Sequence, residues 1–182
     1  MPDQKSLLAG IIEEDEFGRF YAGYIQKSGG RNLFLRLEEG RNELRIIMSS
    51  LDDEAALYRY REGKWSIKEV LGHMTDTERI MGYRALSFAR GDSAELPGFD
   101  QDHYVDQANF DGWPLSDLMN NYESVRASTL ALFRSFTDDM LLRKGVASKQ
   151  PFSVRAVGFV IAGHELHHLD ILREMYLPEI HR

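Results

Sequence analysis

The sequence predicts an all-α protein: a four-helix bundle with an up-down-down-up path and one long crossover between its second and third helices. Three observations carry this. Apolar residues recur at helical spacing in four segments, punctuation at Ser28–Gly30, Glu62–Lys64, Gly91–Pro114 and Gly145–Pro151 separates them, and only short β-like runs remain. The path follows from connection length. About 22 residues run from Gly91 to Gly112, where roughly 2–8 is usual between bundle helices. A helix of about 24 residues spans roughly 36 Å, and a connection of that size can run back along it. An antiparallel pair with an elaborate loop is the alternative.

The first segment covers Asn32 to Ser50. Leu33, Leu37, Gly40, Leu44, Ile47 and Leu51 recur at spacings of 4, 3, 4, 3 and 4, which is one helical stripe. Upstream, the acidic run Glu13–Glu16 reads as a solvated surface, and Phe20, Tyr21, Tyr24 and Ile25 as a short packed arm or turn of helix. The second segment opens with Ser66 and Glu69 in capping-box spacing, flanked by a Trp65–Val70 hydrophobic staple. Ile67, Val70, Met74, Met81, Ala85 and Phe88 form its buried face, which ends near Arg90-Gly91. The third starts at Trp113-Pro114, proline being tolerated in a first turn. Leu115, Leu118, Met119, Tyr122, Val125, Leu130, Leu132, Phe133 and Phe136 are its apolar positions. The fourth follows Pro151, with Ser153 as N-cap and Val154, Val157, Ile161, Leu172 and Met175 along one face up to Tyr176-Leu177-Pro178.

Composition bounds the function. A chain of 182 residues reads as one domain over 1–182, large enough for a core without staples. Apolar residues make up 43% and charged residues 28%, ordinary for a soluble globular protein. Cysteine is absent, which excludes disulfides, a thiolate nucleophile and thiolate-held zinc or iron–sulfur clusters, so a metal would have to sit on His, Asp or Glu. The net charge of −7 and pI near 5.4 repel phosphate backbones and argue against nucleic-acid partners. No apolar run reaches the roughly 18 residues of a membrane span. Met1–Gly10 lacks the roughly 7–15-residue apolar stretch of a secretory signal, so a cytoplasmic protein is expected.

The six histidines are His73, His103, His164, His167, His168 and His181. At about 100° per residue, His168 and His164 fall about 20° and 60° from Ile161, on the side of Val157. Both lie on the apolar face, one turn apart. His167 lies about 120° away, on the shoulder, and His73 about 100° from Met74, beside the core face of the second segment. Two inward imidazoles at i and i+4 need partners for their ring nitrogens, and one divalent ion can serve both. Three neutral ligands would leave coordination positions open, as in catalytic sites. The plain alternative is a core histidine bonded to a backbone carbonyl, which for His73 taken alone is the commoner situation. His103 in the crossover and His181 near the C-terminus read as solvated.

His164-Glu165-Leu166-His167-His168 formally matches H-E-x-x-H, in which two histidines bind zinc and the glutamate activates water. The context weighs against a peptidase. The longer H-E-x-x-H-x-x-G-x-x-H pattern is missing, the sequence has 14 residues after His168, and no sheet edge is apparent to hold an extended peptide. Glu165 falls about 40° from Ile161 and can face the cleft as a catalytic base or stand as a core-edge carboxylate. Arg84 and Arg126 are candidates to hold an anionic substrate group, with surface ion pairing the commoner fate of arginine.

Taken together, these residues resemble a known family. The run Trp65-Ser66-Ile67-Lys68-Glu69-Val70-Leu71-Gly72-His73-Met74-Thr75-Asp76-Thr77-Glu78-Arg79, with Tyr83-Arg84-Ala85-Leu86, looks like the second helix of the DinB-like superfamily. Leu96-Pro97-Gly98-Phe99-Asp100 with Ala108-Asn109 resembles its crossover, Arg126-Ala127-Ser128-Thr129-Leu130 its third helix, and Gly163-His164-Glu165-Leu166-His167-His168 its fourth. The likeness runs from about Tyr21 to Met175 and leaves residues 1–18 as an N-terminal extension. It implies an up-down-down-up bundle, often a homodimer, with a three-histidine site for nickel, zinc or another divalent ion. Carried over position by position, the ligands are His73, His164 and His168, with His167 a neighbour. Where the family often has Gln after the last His pair, Leu169-Asp170 stands here.

The resulting expectation is a metal-dependent enzyme with a small-molecule substrate. In a thiol S-transferase version, a bound low-molecular-weight thiol is deprotonated and attacks an electrophile. In a hydrolase version, water is activated, with Glu165 or a nearby carboxylate as base. A non-catalytic metal- or ligand-binding stress-response module is the alternative, and an H-E-x-x-H peptidase the third reading.

Overall fold

The computed structural model describes residues 7–180. Four long helices form the frame: α2 (Leu33–Ser49), α3 (Ile67–Ala89), α5 (Leu115–Arg134) and α7 (Val154–Ile171), with a short α1 (Ala22–Ser28) ahead of them. The two shorter helices α4 (Gln101–Ala108) and α6 (Asp138–Leu141) and a hairpin of β1 (Lys144–Ala147) and β2 (Gln150–Ser153) fill the connections, and α8 (Leu177–Ile180) closes the described chain. α3 packs on α5 and α7, and α2 packs on the same two helices, so the consecutive pair α2 and α3 sits on a diagonal of the bundle. α1 lies along α7.

The capping expected from sequence is present. Ser66 Oγ accepts from the Glu69 amide at 3.0 Å, and the Glu69 carboxylate accepts from the Ser66 amide at 2.7 Å. Ser153 accepts from the Ala156 amide at 3.1 Å, and Asn32 caps α2 through the Phe34 and Leu35 amides. Beyond Ile171 the helix widens into a π-turn over Leu172–Tyr176, which the apolar periodicity did not signal.

Two elements depart from the sequence expectation. The crossover is not a bare loop but carries α4, and its Leu96 bridges Ala147 of the hairpin. The hairpin itself was unforeseen. Its two-residue turn uses Ser148 and Lys149 at φ 54° and 60°, left-handed positions normally given to Asn-Gly or Asp-Gly.

The described part of the N-terminal extension, from Leu7 onward, packs into the core. Leu8 and Ile12 are buried, and the Leu8 carbonyl accepts from the Leu33 amide at 2.7 Å. Contrary to the sequence expectation, the acidic run is not wholly solvated. Glu13, Glu14 and Asp15 are exposed, but Glu16 is buried against Arg155, which donates through Nε at 2.8 Å, and Ser153 Oγ donates at 2.7 Å. A carboxylate so buried persists because a guanidinium and a hydroxyl satisfy it.

The apolar interior falls into two clusters. One gathers Leu33, Leu37, Met81, Phe88, Leu130, Phe133 and the first turns of α7. The other gathers Leu44, Val70, Met74, Leu118, Leu169 and Leu172. A buried polar layer contributed by α3, α5 and α7 contains His73, Thr77, Glu78, Arg126, His164, Glu165 and His168.

Candidate metal centre

α3 presents His73 and α7 presents His164 and His168 to the same point between the two helices. His73 Nε2 lies 3.0 Å from His164 Nε2, and His168 Nε2 lies 3.2 Å from His164 Nε2. All three rings are buried, and one ligand atom from each lies within 4.8 Å of the others. Trp65 covers His73 with ring centroids 4.7 Å apart, and Tyr24 meets His164 edge-on at 5.4 Å. That approach needs a bare α-carbon: a Cβ on Gly163 would overlap the Tyr24 carbonyl.

Burial also sets the protonation state. It lowers the His73 imidazole from 6.5 to about 4 and the His168 imidazole to about 3, with neighbouring histidines adding to both shifts. Burial, then His168 and His73, hold His164 well below its ordinary value. At neutral pH all three are uncharged, the form that ligates a metal. Three uncharged rings turned nitrogen to nitrogen crowd lone pairs together unless a proton or a cation sits between them. Tetrahedral nitrogen ligands about 2.0–2.1 Å from zinc are about 3.3–3.4 Å apart, close to the spacing seen. The donor set therefore fits a divalent ion that accepts imidazole. His168 Nδ1 is buried with no hydrogen-bond partner among the described residues, so the outer support common for ligating histidines is missing at that ring.

Neither His167 nor His103 joins the cluster of converging ring nitrogens. His167 is half-buried against Tyr24 at 5.7 Å, and His103 is exposed on α4. His181 lies outside the described residues.

Glu165 follows His164 but points elsewhere. Arg126 donates Nη1 to Glu165 Oε2 and Nη2 to Oε1, both at 2.9 Å, and Tyr122 Oη donates to Oε1. Arg126 also donates to both oxygens of Glu78, at 2.9 and 2.8 Å, and to the Leu37 carbonyl at 2.6 Å. Burial raises the Glu165 carboxyl above its ordinary value, with Arg126 opposing. Gly40 makes room, since a Cβ there would overlap the Glu165 carboxylate. The two arginines also depart from the surface role expected of them: Arg84 is 1% exposed and Arg126 0%.

A cavity of about 480 Å³ opens beside the cluster, with His164 on its wall. α1 with the turn before it, α3 and α7 supply one part of the wall; the crossover and the hairpin add Phe99, Ser148 and Gln150. No carboxylate lines it among the described residues. Thr77 does, and its Oγ1 is buried without a partner there, whereas Thr75 bonds back to the Leu71 carbonyl at 2.8 Å as helical threonines usually do.

Sequence reading missed this cavity because part of its wall comes from the crossover and the hairpin, far along the chain from the helices that face them. It also missed the Glu78–Arg126–Glu165 cluster, although a signal existed. Each apolar stripe is interrupted at mid-helix, by Gly40, by Thr77-Glu78, by Arg126 and by His164-Glu165.

The DinB superfamily matches residues 36–172, a span that holds all three clustered histidines. The chain belongs to the DinB superfamily. One relative is the Oceanobacillus iheyensis protein named "Putative metal-dependent hydrolase OB0413". It is 29% identical over 136 residues, 74% of this chain and 78% of that protein. A second, from Geobacillus kaustophilus, is named "Putative metal-dependent hydrolase GK0616" and is 25% identical over 131 residues, 70% of this chain and 72% of that one. Among solved structures, YfiT from Bacillus subtilis is described as a probable metal-dependent hydrolase with an unusual four-helix bundle topology. It matches with a TM-score of 0.71 at 18% identity, over 81% of this chain and 85% of that one. A mycothiol-dependent maleylpyruvate isomerase matches with a TM-score of 0.65 at 13% identity, over 81% of this chain and 65% of that one. At such identities the two structures speak to the fold. This DinB-superfamily bundle is thus the four-helix architecture that the stripes and the long crossover predict. Among the described residues no helix is long and apolar enough to cross a membrane.

Proposed function

We propose that this DinB-superfamily protein is a metal-dependent enzyme acting on a small molecule held in the cavity beside His164, with hydrolysis as the reaction. The observation that carries the reading is the convergence of three buried, uncharged imidazoles, one of which, His164, lines a cavity of about 480 Å³, within the range of roughly 300–1,000 Å³ usual for small-molecule sites. The names of the two relatives support the reaction class. His73, His164 and His168 would hold the ion, with zinc or nickel the best match to three imidazoles. When bound, it supplies Lewis acidity that makes a neighbouring nucleophile acidic enough to act near neutral pH.

The chain's own residues do the rest. The apolar cavity wall excludes water from around the substrate. Trp65 and Tyr24 hold two of the rings in place. Thr77 Oγ1, free of its helix, can accept the nucleophile's hydrogen bond or donate to the substrate. Glu165 is not the base, because both its oxygens are occupied by Arg126 and Tyr122. That removes the glutamate an H-E-x-x-H peptidase needs.

A second reading is thiol transfer, favoured by one feature: the cavity lining offers no carboxylate base. A thiol needs less help than water to lose its proton, so it suits such a site.

Both readings are tested first by metal content. Untagged protein purified without added nickel should carry near-stoichiometric divalent metal by inductively coupled plasma mass spectrometry, and His168→Ala should lose it. Turnover of 4-nitrophenyl acetate by the loaded protein without thiol supports hydrolysis, whereas turnover of an electrophile only with added thiol supports transfer. Full metal with neither activity would leave a binding module. No metal in either protein, even after loading, would sink the enzyme reading.

A further inference from the structure

Arg84 is 1% exposed, yet its partners are uncharged: Nη2 donates to the Pro97 carbonyl at 3.0 Å and to Ser148 Oγ at 2.8 Å, and Nη1 contacts Met81 Sδ at 3.6 Å. Among the described residues no carboxylate lies within ion-pair distance of it. The two other buried arginines among the described residues, Arg126 and Arg155, both have carboxylates. A buried guanidinium without a counter-charge is costly, and in native proteins such charges are paired. Two of its three neighbours, Met81 and Ser148, line the cavity beside His164.

Ser148 adds an independent observation. It is held at φ 54° in the hairpin turn, a left-handed position that serine seldom adopts. The Leu96 carbonyl fixes its amide at 3.0 Å, so the strained turn is pinned to the crossover with the hydroxyl at the cavity edge. Its oxygen accepts from Arg84 and its hydrogen remains to be donated. Arg84 and Ser148 together make a polarised hydroxyl backed by a cation, the chemistry that recognises an anion. The rest of the cavity is largely apolar and aromatic, with Tyr24, Phe99, Val160 and Ile161 on its wall.

We infer that the cavity selects a small monocarboxylate with an apolar or aromatic body, its carboxylate anchored at Ser148 and Arg84 and its reacting end toward His164. This deepens the proposed function and rests on its reading of the cavity as the substrate site. One buried cation, Arg84 behind Ser148, matches a singly charged carboxylate rather than a doubly charged phosphate, and the lining itself holds no cation.

The test uses full-length protein stripped of metal with a chelator, so that the anchor alone is read. Isothermal titration calorimetry compares 3-phenylpropionate with its neutral counterpart, 3-phenylpropanamide. The acid is expected to bind about 10-fold or more tightly than the amide, as one charge-assisted contact allows. Ser148→Ala and Arg84→Met, each checked for folding by circular dichroism, should bring the ratio toward unity while leaving amide binding in place. Ser148→Ala keeps the test informative if loss of Arg84 unfolds the protein. Equal binding of acid and amide, no binding of either, or a ratio unchanged by both variants would overturn the inference. Failure of the metal reading shows instead as missing metal and leaves this ratio untouched.

Discussion

Glu165 and Arg126 face each other through two parallel hydrogen bonds of 2.9 Å, one turn of chemistry away from the histidines that flank Glu165 in sequence. Neighbouring residues on a helix diverge by about 100°, so His164 turns toward α3 while Glu165 turns toward α2 and α5. The partners of the glutamate are Arg126 and Tyr122 on α5, whereas His164 meets His73 on α3.

Glu165→Gln should therefore cost stability rather than metal. Arg126 keeps Glu78, so the loss should be roughly 3 kcal/mol, the lower end for breaking a buried pair. Urea unfolding should show the drop, and mass spectrometry should find metal per chain unchanged. Metal loss at full stability would place Glu165 in the centre itself.

Acid should weaken the metal-free fold. An unfolded histidine takes up a proton near 6.5, whereas the folded His73 and His168 do so only at about 4 and about 3. The unfolded state therefore binds more protons between those limits, and stability falls as pH drops from about 6.5 towards 4. For His73 alone the difference corresponds to about 3 kcal/mol. Urea midpoints between pH 7.5 and 4.5 should fall in the wild type, and His73→Asn should flatten part of that slope.

Arg155→Met should strip Glu16 of its main partner. Burial alone would raise the Glu16 carboxyl, but Arg155, the Glu13 amide and Ser153 outweigh it and hold it below 4.5. The stabilising contribution is present above the ordinary value and is lost as pH falls through the folded one. The variant should lose about 2–4 kcal/mol at pH 7, with earlier proteolysis near Phe17 than in the wild type. Equal cleavage rates would mean that this pair does not hold the N-terminal segment.

Thr77→Val separates chemistry from scaffold. The change conserves shape and removes an unpartnered buried hydroxyl, so stability should hold or rise by up to about 1 kcal/mol. Metal content should be unchanged while kcat of whichever activity is found falls about 10-fold or more. An unaltered kcat would show that the hydroxyl takes no part.

Much of the bundle was legible in the chain. Stripes such as Leu33–Leu37–Leu44 and Ile67–Val70–Met74 encode helices directly, since apolar burial at a period near 3.6 repeats within one segment. Ser66 with Glu69, and Ser153, mark helix starts through local hydrogen bonds that need no distant partner. The histidine set was readable for the same reason: His164 and His168 share a face by spacing alone, His73 flanks the core face of its own helix, and the resemblance joined the three.

What lay beyond the sequence involves residues far apart in the chain. The turn at Ser148-Lys149 carries no Asn-Gly signal, and its strained geometry is held by Leu96, more than one helix away. Arg84 and Arg126 look alike as letters, yet one meets two carboxylates and the other none. Spacing determined which helices form and which histidines share a face. Only the tertiary structure decided which charges are paired, where the cavity opens, and that Glu165 meets Arg126, because burial and charge pairing depend on what the other helices bring to the same depth.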